Sequence, residues 1–384
     1  MRYVPHLRFP EFSGEWETFK LVELGKFIGG GTPSSSNLSY WSGSIPWISS
    51  SDIKEDNIND ISISRYITEE AIEKSSTKYC PAPVILIVSR VGVGKVALSK
   101  KDVCTSQDFS NIIDIKCNPV FLSYNLLRIM KRKSTEVQGT SIKGITSNEL
   151  QKIIVYIPEN ELEQTKIARF LTLLDERIAT QNKIIEKYES LINGIVDYTI
   201  LRKYKNAIVG EVCSISEQIQ AEPDRDNILT VRLRNKGVCK SSAENLQLGA
   251  TQYFRRRAGQ LIYGKQNFHN GAIGIVPEEL DNGITSKDIP SFDIDSAKCN
   301  PMYLLAQLQS SKYYEPTEAL TTGTGSKRLK EETFLNMPIV LPDREEQDKI
   351  ATLIDCVTTK LNQAKEVQIL LSSQKKYLLH EMFI

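Results

Sequence analysis

The chain lacks most of what the common membrane, metal-dependent and catalytic architectures require. No segment offers the ~18 uninterrupted apolar residues of a membrane span, and the amino terminus, Met1-Arg2-Tyr3-Val4-Pro5-His6, has no apolar signal core. Both point to a cytoplasmic protein with no membrane partner. The seven cysteines (80, 104, 117, 213, 239, 299, 356) include no CxxC pair, a pattern of reduced, mostly buried thiols. Histidine is scarce: only His6, His269 and His380 are present, so no histidine-based metal site is expected. The formal charge of +1 neither requires nor excludes nucleic acid, because a sequence reader can concentrate positive charge locally or borrow it from partner subunits.

Catalytic motifs are missing too. In Gly92-Val93-Gly94-Lys95-Val96, Ser89 stands where a phosphate loop needs its first glycine, and Val96 stands where it needs a magnesium-binding hydroxyl. The segment reads as a tight turn between strands. Gly29-Gly30-Gly31 is not followed by a GxGxxG opening a helix. Asn118-Pro119-Val120 and Asn300-Pro301-Met302 are not the tetrapeptide with which an amino-methyltransferase holds its base. Neither Pro223-Asp224 nor Pro342-Asp343 leads into a nuclease motif, and the serines lack a histidine base. No catalytic residue and no bound metal or cofactor is assigned, and the chain reads as a binder.

What the chain does have is a repeat. Gly139-Thr140, Lys143 and Pro158 recur as Gly323-Thr324, Lys327 and Pro342, at a constant spacing of 184 residues. Lys116-Cys117-Asn118-Pro119 returns as Lys298-Cys299-Asn300-Pro301, and Gln164, Lys166, Ile167 and Ala168 return as Gln347, Lys349, Ile350 and Ala351. At 384 residues the chain has room for two or three domains. The repeat divides it into residues 1–158, a helix over 159–203, residues 204–342, and a helix over 343–384. Related halves can present two similar surfaces about an approximate two-fold axis, and double-stranded DNA is a ligand whose backbone has that symmetry.

Within the first half, Ile45-Pro46-Trp47-Ile48 and the apolar run Val84-Ile85-Leu86-Ile87-Val88 predict strands, and 119–132 predicts a helix with proline in its first turn. Gln260–Tyr263, Gly271–Ile275 and the helix opening at Pro301 answer them in the second half. The frames match while their middle portions diverge.

The connecting helices carry heptads. Ile167, Leu171, Leu174, Ile178, Ile185, Tyr188, Ile192 and Ile195 fall at alternating spacings of four and three, broken only at Gln181. A helix of about 40 residues from Glu161 would be roughly 60 Å long. Ile350, Ile354, Val357, Leu361, Ala364 and Leu371 repeat the stripe less cleanly. An isolated stripe needs a partner. If the two helices pair, connectivity makes them antiparallel; packing onto the sheets as ordinary core is the other reading. The fold class expected is α+β: two similar α/β domains separated by two long helices in an antiparallel coiled coil, pseudo-two-fold symmetric.

Groove-reading surfaces use Arg, Lys, Asn, Gln and Ser on loops. In the first half the candidates are Ser49, Ser51, Asp52 and Lys54 after the Trp47 strand, Arg90 and Lys95 around the glycine turn, Gln107 in Thr105-Ser106-Gln107-Asp108, and Lys143. In the second half they are Lys265, Asn267, His269, Lys287 in Thr285-Ser286-Lys287-Asp288, Lys327 and Arg328. Arg232 and Arg234 are spaced to project from one face of a strand, and Arg255-Arg256-Arg257 is a short basic run. Any one of these could equally be a solvated surface group. Trp41 and Trp47 read as core aromatics rather than base-stacking platforms.

Several segments together resemble the specificity subunits of type I restriction–modification systems. They are Val4-Pro5-His6-Leu7-Arg8-Phe9-Pro10 with Gly14-Glu15-Trp16, then Gly30-Gly31-Thr32-Pro33 and Ile45-Pro46-Trp47-Ile48. The junctions from Ile157-Pro158 to Ala168 and from Leu341-Pro342 to Ala351, and the ending Gln374-Lys375-Lys376-Tyr377-Leu378-Leu379, join them. The resemblance implies two target-recognition domains, each reading one half of an asymmetric bipartite DNA site, with the helix pair setting the unread gap. It further implies two modification (methyltransferase) subunits carrying S-adenosylmethionine and methylating adenines, and restriction/motor subunits carrying ATP and magnesium. The second domain lacks the Gly-rich loop and the Ile-Pro-Trp strand and is the less typical. Two other classes stay open: a coiled-coil adaptor whose ends bind proteins, and a standalone modification or restriction enzyme, which the missing motifs disfavour.

Overall fold

The computed structural model describes residues 3–137, 144–241, 251–323 and 327–384. The chain forms two compact units: Met1–Asn182 with Val367–Ile384, and Lys183–Glu366.

In the first unit, strands Lys26–Gly29, Phe109–Ile113, Val84–Val88 and Val96–Ser99 form a sheet in that order, with every neighbouring pair antiparallel. Every residue of Val84–Val88 is buried, because one face of the strand meets the helix Pro119–Val137 and the other meets a second sheet. That explains an unbroken apolar run where a one-sided strand would alternate. The turn at Gly92-Val93-Gly94 joins Val84–Val88 to Val96–Ser99, with both glycines at positive φ. The second sheet orders Arg65–Ile67, Ile45–Ile48, Val103–Thr105 and Tyr79–Cys80. Glu17–Lys20 pairs with Ile154–Ile157 and closes the unit.

The second unit repeats the plan in shorter strands. Cys213–Ile215, Ser291–Ile294, Leu261–Tyr263 and Ile273–Ile275 form the first sheet in the corresponding order. Gln220–Ala221, Tyr253–Arg255 and Ile284–Ser286 form the smaller one, and Ala207–Ile208 pairs with Pro338–Ile339. Its core is markedly aromatic: Tyr263, Phe268, Phe292 and Phe334 stack at centroid distances from 4.7 to 5.7 Å.

The repeated letters of the sequence make the same bonds twice. In the first unit the Asn118 side chain caps its helix by accepting from the Val120 and Phe121 N–H groups, while its own N–H donates to Gln164 Oε1 at 2.9 Å. Gln164 Nε2 donates in turn to the Pro158 carbonyl at 2.9 Å. In the second unit Asn300 caps Met302 and Tyr303, donates to Gln347 Oε1 at 2.8 Å, and Gln347 Nε2 reaches the Pro342 carbonyl at 2.9 Å. Each buried glutamine thus fastens a domain helix to the first turn of a long helix. Gln164→Ala should cost about 2 kcal/mol, since it orphans a buried N–H and a carbonyl at ~1–3 kcal/mol each less partial hydration. Urea unfolding checks this, and an unchanged midpoint would show that the tie is not structural.

The long helices run over Glu161–Val196, extended by the π-helical turn Asp197–Leu201, and over Arg344–Glu381. Their stripes are buried unequally. Ile167, Leu171 and Leu174 join the first unit's core around Trp16 and Phe121, together with Leu378, Leu379, Met382 and Phe383 of the second helix. Ile350 and Ile354 join the second unit's core with Val196 and Ile200. Val357 and Leu361 are buried, whereas Ile178, Ile185, Tyr188 and Ile192 are half-buried. The ends of the stripe are domain core, as the reading of ordinary core packing expects, while the middle positions of the first helix keep part of their surface exposed. Within the second unit, Glu189 pairs with Lys365 at 2.8 Å and Lys203 pairs with Glu346, so partners fall in opposite order along the two helices. Within the first unit, Asp175 pairs with Lys375, both essentially buried.

Candidate nucleic-acid interface

Three chain segments meet at the same place in each unit. In the first, the Ser89 N–H donates to the Asp108 carbonyl at 2.8 Å, and the Ile145 N–H donates to the Ser89 carbonyl at 2.7 Å. In the second, Lys265 N–H donates to the Asp288 carbonyl at 2.9 Å, and Leu329 N–H to the Lys265 carbonyl at 2.8 Å. Backbone bonds cannot depend on side-chain identity, so this hub holds three loops together while their outward side chains vary. That is what a surface of changeable specificity on a fixed frame requires.

In the first unit the hub borders an open cleft of about 800 Å³ lined by Gly29, Gly30, Arg90, Gln107 and Ser110. Arg90 and Gln107 are exposed there, and Gln107 Oε1 accepts from the Thr32 hydroxyl. The glycine-rich loop is a packing device. A Cβ on Gly30 would sit 2.0 Å from the Ser106 carbonyl oxygen, so only glycine lets this loop lie flat on the Gln107 segment. Gly144 likewise would place a Cβ 2.6 Å from the Ser89 carbonyl oxygen. Lys143, with Gly139, Thr140 and Thr324 of the repeat, lies outside the described residues.

The loop after Trp47 is bound up with itself. Asp52 Oδ2 accepts from the Ser49 N–H (2.8 Å), the Ser49 hydroxyl (2.7 Å) and Arg65 (2.8 Å), while the Ser49 and Ser51 hydroxyls lie 2.8 Å apart. Burial alone would raise the Asp52 carboxyl, but the bonds from Ser49 and Arg65 outweigh it and hold it below the ordinary carboxylate range. The Arg65 guanidinium lies 4.5 Å from the Trp47 ring centroid. Trp47 itself is buried against Trp41 and donates to the Gly31 carbonyl at 3.0 Å, a core role. Lys95 donates to the Ser50 carbonyl at 3.2 Å. Lys54 pairs with Asp60 at 2.8 Å and lines a cavity of about 680 Å³ beside the long helices, away from Arg90 and Gln107.

In the second unit Lys265 and Lys287 share a pocket of about 450 Å³ with Gln218, Gln220, Gln252 and Phe254. Lys265 is paired with Glu331 at 2.6 Å, Arg328 with Asp288 at 3.3 Å, and Lys327 with Glu318 at 3.8 Å. Arg232 and Arg234 correct the strand expectation. The strand Leu229–Val231 ends before them, and Arg234 and Asn235 sit at positive φ in the turn leading to Val238–Lys240. A two-residue spacing shares a face only inside a strand. That turn is held to the Asn267–Gly271 loop, which carries Asn267 and His269, by Arg234 N–H to the Asn270 carbonyl (2.8 Å) and Asn235 N–H to the Gly271 carbonyl (3.0 Å). Arg256, from the basic run, is fully buried and donates to Thr285 Oγ1, Ser291 Oγ and the Ile289 carbonyl. It is part of the fold.

Arg65 and the pocket residues Gln218, Gln220, Gln252 and Phe254 were missed by sequence reasoning. The alternation Gln218-Ile219-Gln220 was the available signal, but the strand there is two residues long.

Burial pushes the Cys80 thiol up to about 11 and those of Cys104, Cys117, Cys213 and Cys299 up to about 12, so these thiols stay protonated at neutral pH. Among the described residues no cluster of three or more His, Cys, Asp or Glu could hold a metal, and no helix is long and apolar enough to cross a membrane.

Residues 13–190 match the family described as the type I restriction modification DNA specificity domain. The chain is 26% identical to the type I restriction enzyme MjaIX specificity subunit of Methanocaldococcus jannaschii, over 93% of this chain and 90% of that one. It is 34% identical to the EcoR124I/EcoR124II specificity subunit of Escherichia coli, over 50% of this chain and 45% of the relative. Its fold is similar to the crystal structure of a type I S subunit from M. genitalium, with a TM-score of 0.62, 15% identity and 99% of each chain covered. A chain from a structure of type I complex assembly and conformational transition aligns with a TM-score of 0.54, 15% identity and 96% of each chain covered.

Proposed function

The chain belongs to the specificity subunits of type I restriction–modification systems, the non-catalytic members of those complexes, and we propose that it reads a bipartite, asymmetric double-stranded DNA site. Residues 1–158 read one half and residues 204–342 the other. The helices over 159–203 and 343–384 pair as an antiparallel coiled coil that fixes the gap. The observation that carries this reading is the three-segment hub, identical in backbone bonds in both units and different in the side chains it offers: Arg90 and Gln107 in one, Lys265 and Lys287 in the other.

The helices also scaffold two modification subunits, and restriction/motor subunits act on the assembled complex. S-adenosylmethionine, ATP and magnesium belong to those partners, all in the cytoplasm. Leu162, Ile369, Leu370 and Tyr377 support the scaffolding role, since each leaves most of a large apolar side chain exposed on the long helices. The same exposure is what a pure protein–protein adaptor would show, so DNA binding separates the two.

Binding of the complex with its modification subunit to cognate and scrambled duplexes is the test. Cognate affinity should exceed scrambled and fall steeply with salt. Arg90→Ala should weaken cognate binding about tenfold to hundredfold, as loss of one groove contact does. Equal affinity for both duplexes at every salt concentration would favour the adaptor.

A further inference from the structure

The pocket of the second unit has a more definite chemistry than a basic patch. Cross-strand register places Gln220 opposite Phe254 and Phe254 opposite Thr285, so the three share one face of the small sheet. Gln252 immediately precedes the strand Tyr253–Arg255, and Lys287 immediately follows Ile284–Ser286. All but Thr285 line the pocket. Phe254 is buried and forms its floor, with the Lys287 ammonium 5.9 Å from the ring centroid. Gln220 and Gln252 are exposed at the rim, and among the described residues neither amide has a hydrogen-bond partner. Gln218 already donates one of its two amide hydrogens to the Ser216 carbonyl at 2.7 Å.

Charge favours a polyanion. Lys265 is neutralised by Glu331, but Lys287 makes no ion pair among the described residues. Beneath, Arg256 is satisfied only by uncharged partners. The amides then choose among bases. A planar primary amide offers one donor side and one acceptor side, which match the N7 acceptor and N6 donor of adenine in the major groove. Guanine presents two acceptors there, leaving the glutamine carbonyl opposed, and cytosine presents only a donor.

We propose that this pocket reads adenine: Gln220 and Gln252 take the major-groove edge of an A·T pair in the second unit's half-site, while Lys287 holds the neighbouring phosphate. The inference rests on the DNA-reading function above and adds which base is read and by which residues.

The experiment maps methylated adenines genome-wide in cells carrying the chain with its modification subunits. Exchange of residues 204–342 for another member's identifies which half-site belongs to the second unit. In Gln220→Ala/Gln252→Ala, at least one A·T position of that half should lose about tenfold to hundredfold of its discrimination, with the other half and the gap unchanged. Gln252→Glu should shift preference toward cytosine at that position. Lys287→Ala should weaken binding evenly across sequences and lower the salt slope by about one. Both glutamines are exposed, so the core stays intact. If methylation ceased altogether, competition binding of the same complex to duplexes varied base by base gives the same readout. Unchanged discrimination at every position of that half, or relaxation at a G·C pair, overturns the proposal. An exchange of 204–342 that altered neither half would instead overturn the DNA-reading function itself.

Discussion

Asp175→Ala is expected to destabilise the first unit by about 3–5 kcal/mol, the penalty for breaking a buried ion pair from one side. Asp175 and Lys375 keep only 4% and 5% of their side-chain surfaces exposed. Tyr124 Oη donates to Asp175 Oδ2 at 2.8 Å, and Lys375 also donates to the Asp56 carbonyl. Four parts of the first unit therefore meet at one point: the loop carrying Asp56, the domain helix carrying Tyr124, and both long helices. Alanine removes the carboxylate, leaves a buried ammonium with one backbone acceptor and takes the Asp175 acceptor from the Tyr124 hydroxyl. Burial raises the Asp175 carboxyl above the ordinary range against the opposing pull of Lys375 and the bonds from Lys375 and Tyr124, so the pair is held at a solvation cost. The double change Asp175→Leu/Lys375→Met removes that cost and should return most of the stability. Thermal unfolding should show a fall of about 10 °C for the single variant and much less for the double. Equal losses in both would mean that the site depends on these side chains for something other than charge.

Exchange of residues 15–158 for another member's first domain should have the largest effect on function. One half-site should change completely while the other half and the gap persist. Specific complexes typically bind about 10³–10⁷-fold more tightly than non-specific ones, so modification at the original sites should fall to background. The exchange is feasible because the link to the long helices is made of repeated parts: Asn118 and Gln164 here, Asn300 and Gln347 in the second unit. A retained half-site after exchange would locate base reading outside the domain.

These joints are also why so much could be read from the letters. Where one side chain must satisfy two backbone groups, as Gln164 does, the residue type is fixed and the repeat is visible. Apolar periodicity similarly announced the long helices, and the unbroken run at Val84–Val88 announced a strand covered on both faces. Legibility failed where geometry depends on strands of two or three residues. Arg232 and Arg234 have strand spacing but lie past the end of Leu229–Val231. Gln220 gains its place beside Phe254 from register in a strand too short to show alternation. Lys54 sits close in sequence to Ser49 and Asp52, yet a local turn directs it toward the long helices. Loop side chains are placed by contacts across long sequence separations, such as Ser89 with Asp108 and Ile145, and single-residue patterns carry no trace of these.

Under the proposed function the helix pair sets the unread gap between the two half-sites. Inserting four residues near Gln181, matched by four near Ile369 on the second helix, tests it most directly. Four helical residues add roughly 6 Å, about two base-pair steps at ~3.4 Å each. Mapping methylated adenines in cells carrying the lengthened chain should return both half-sites unaltered around a gap longer by about two base pairs. A changed base within either half, or the original gap with both halves intact, would contradict the account.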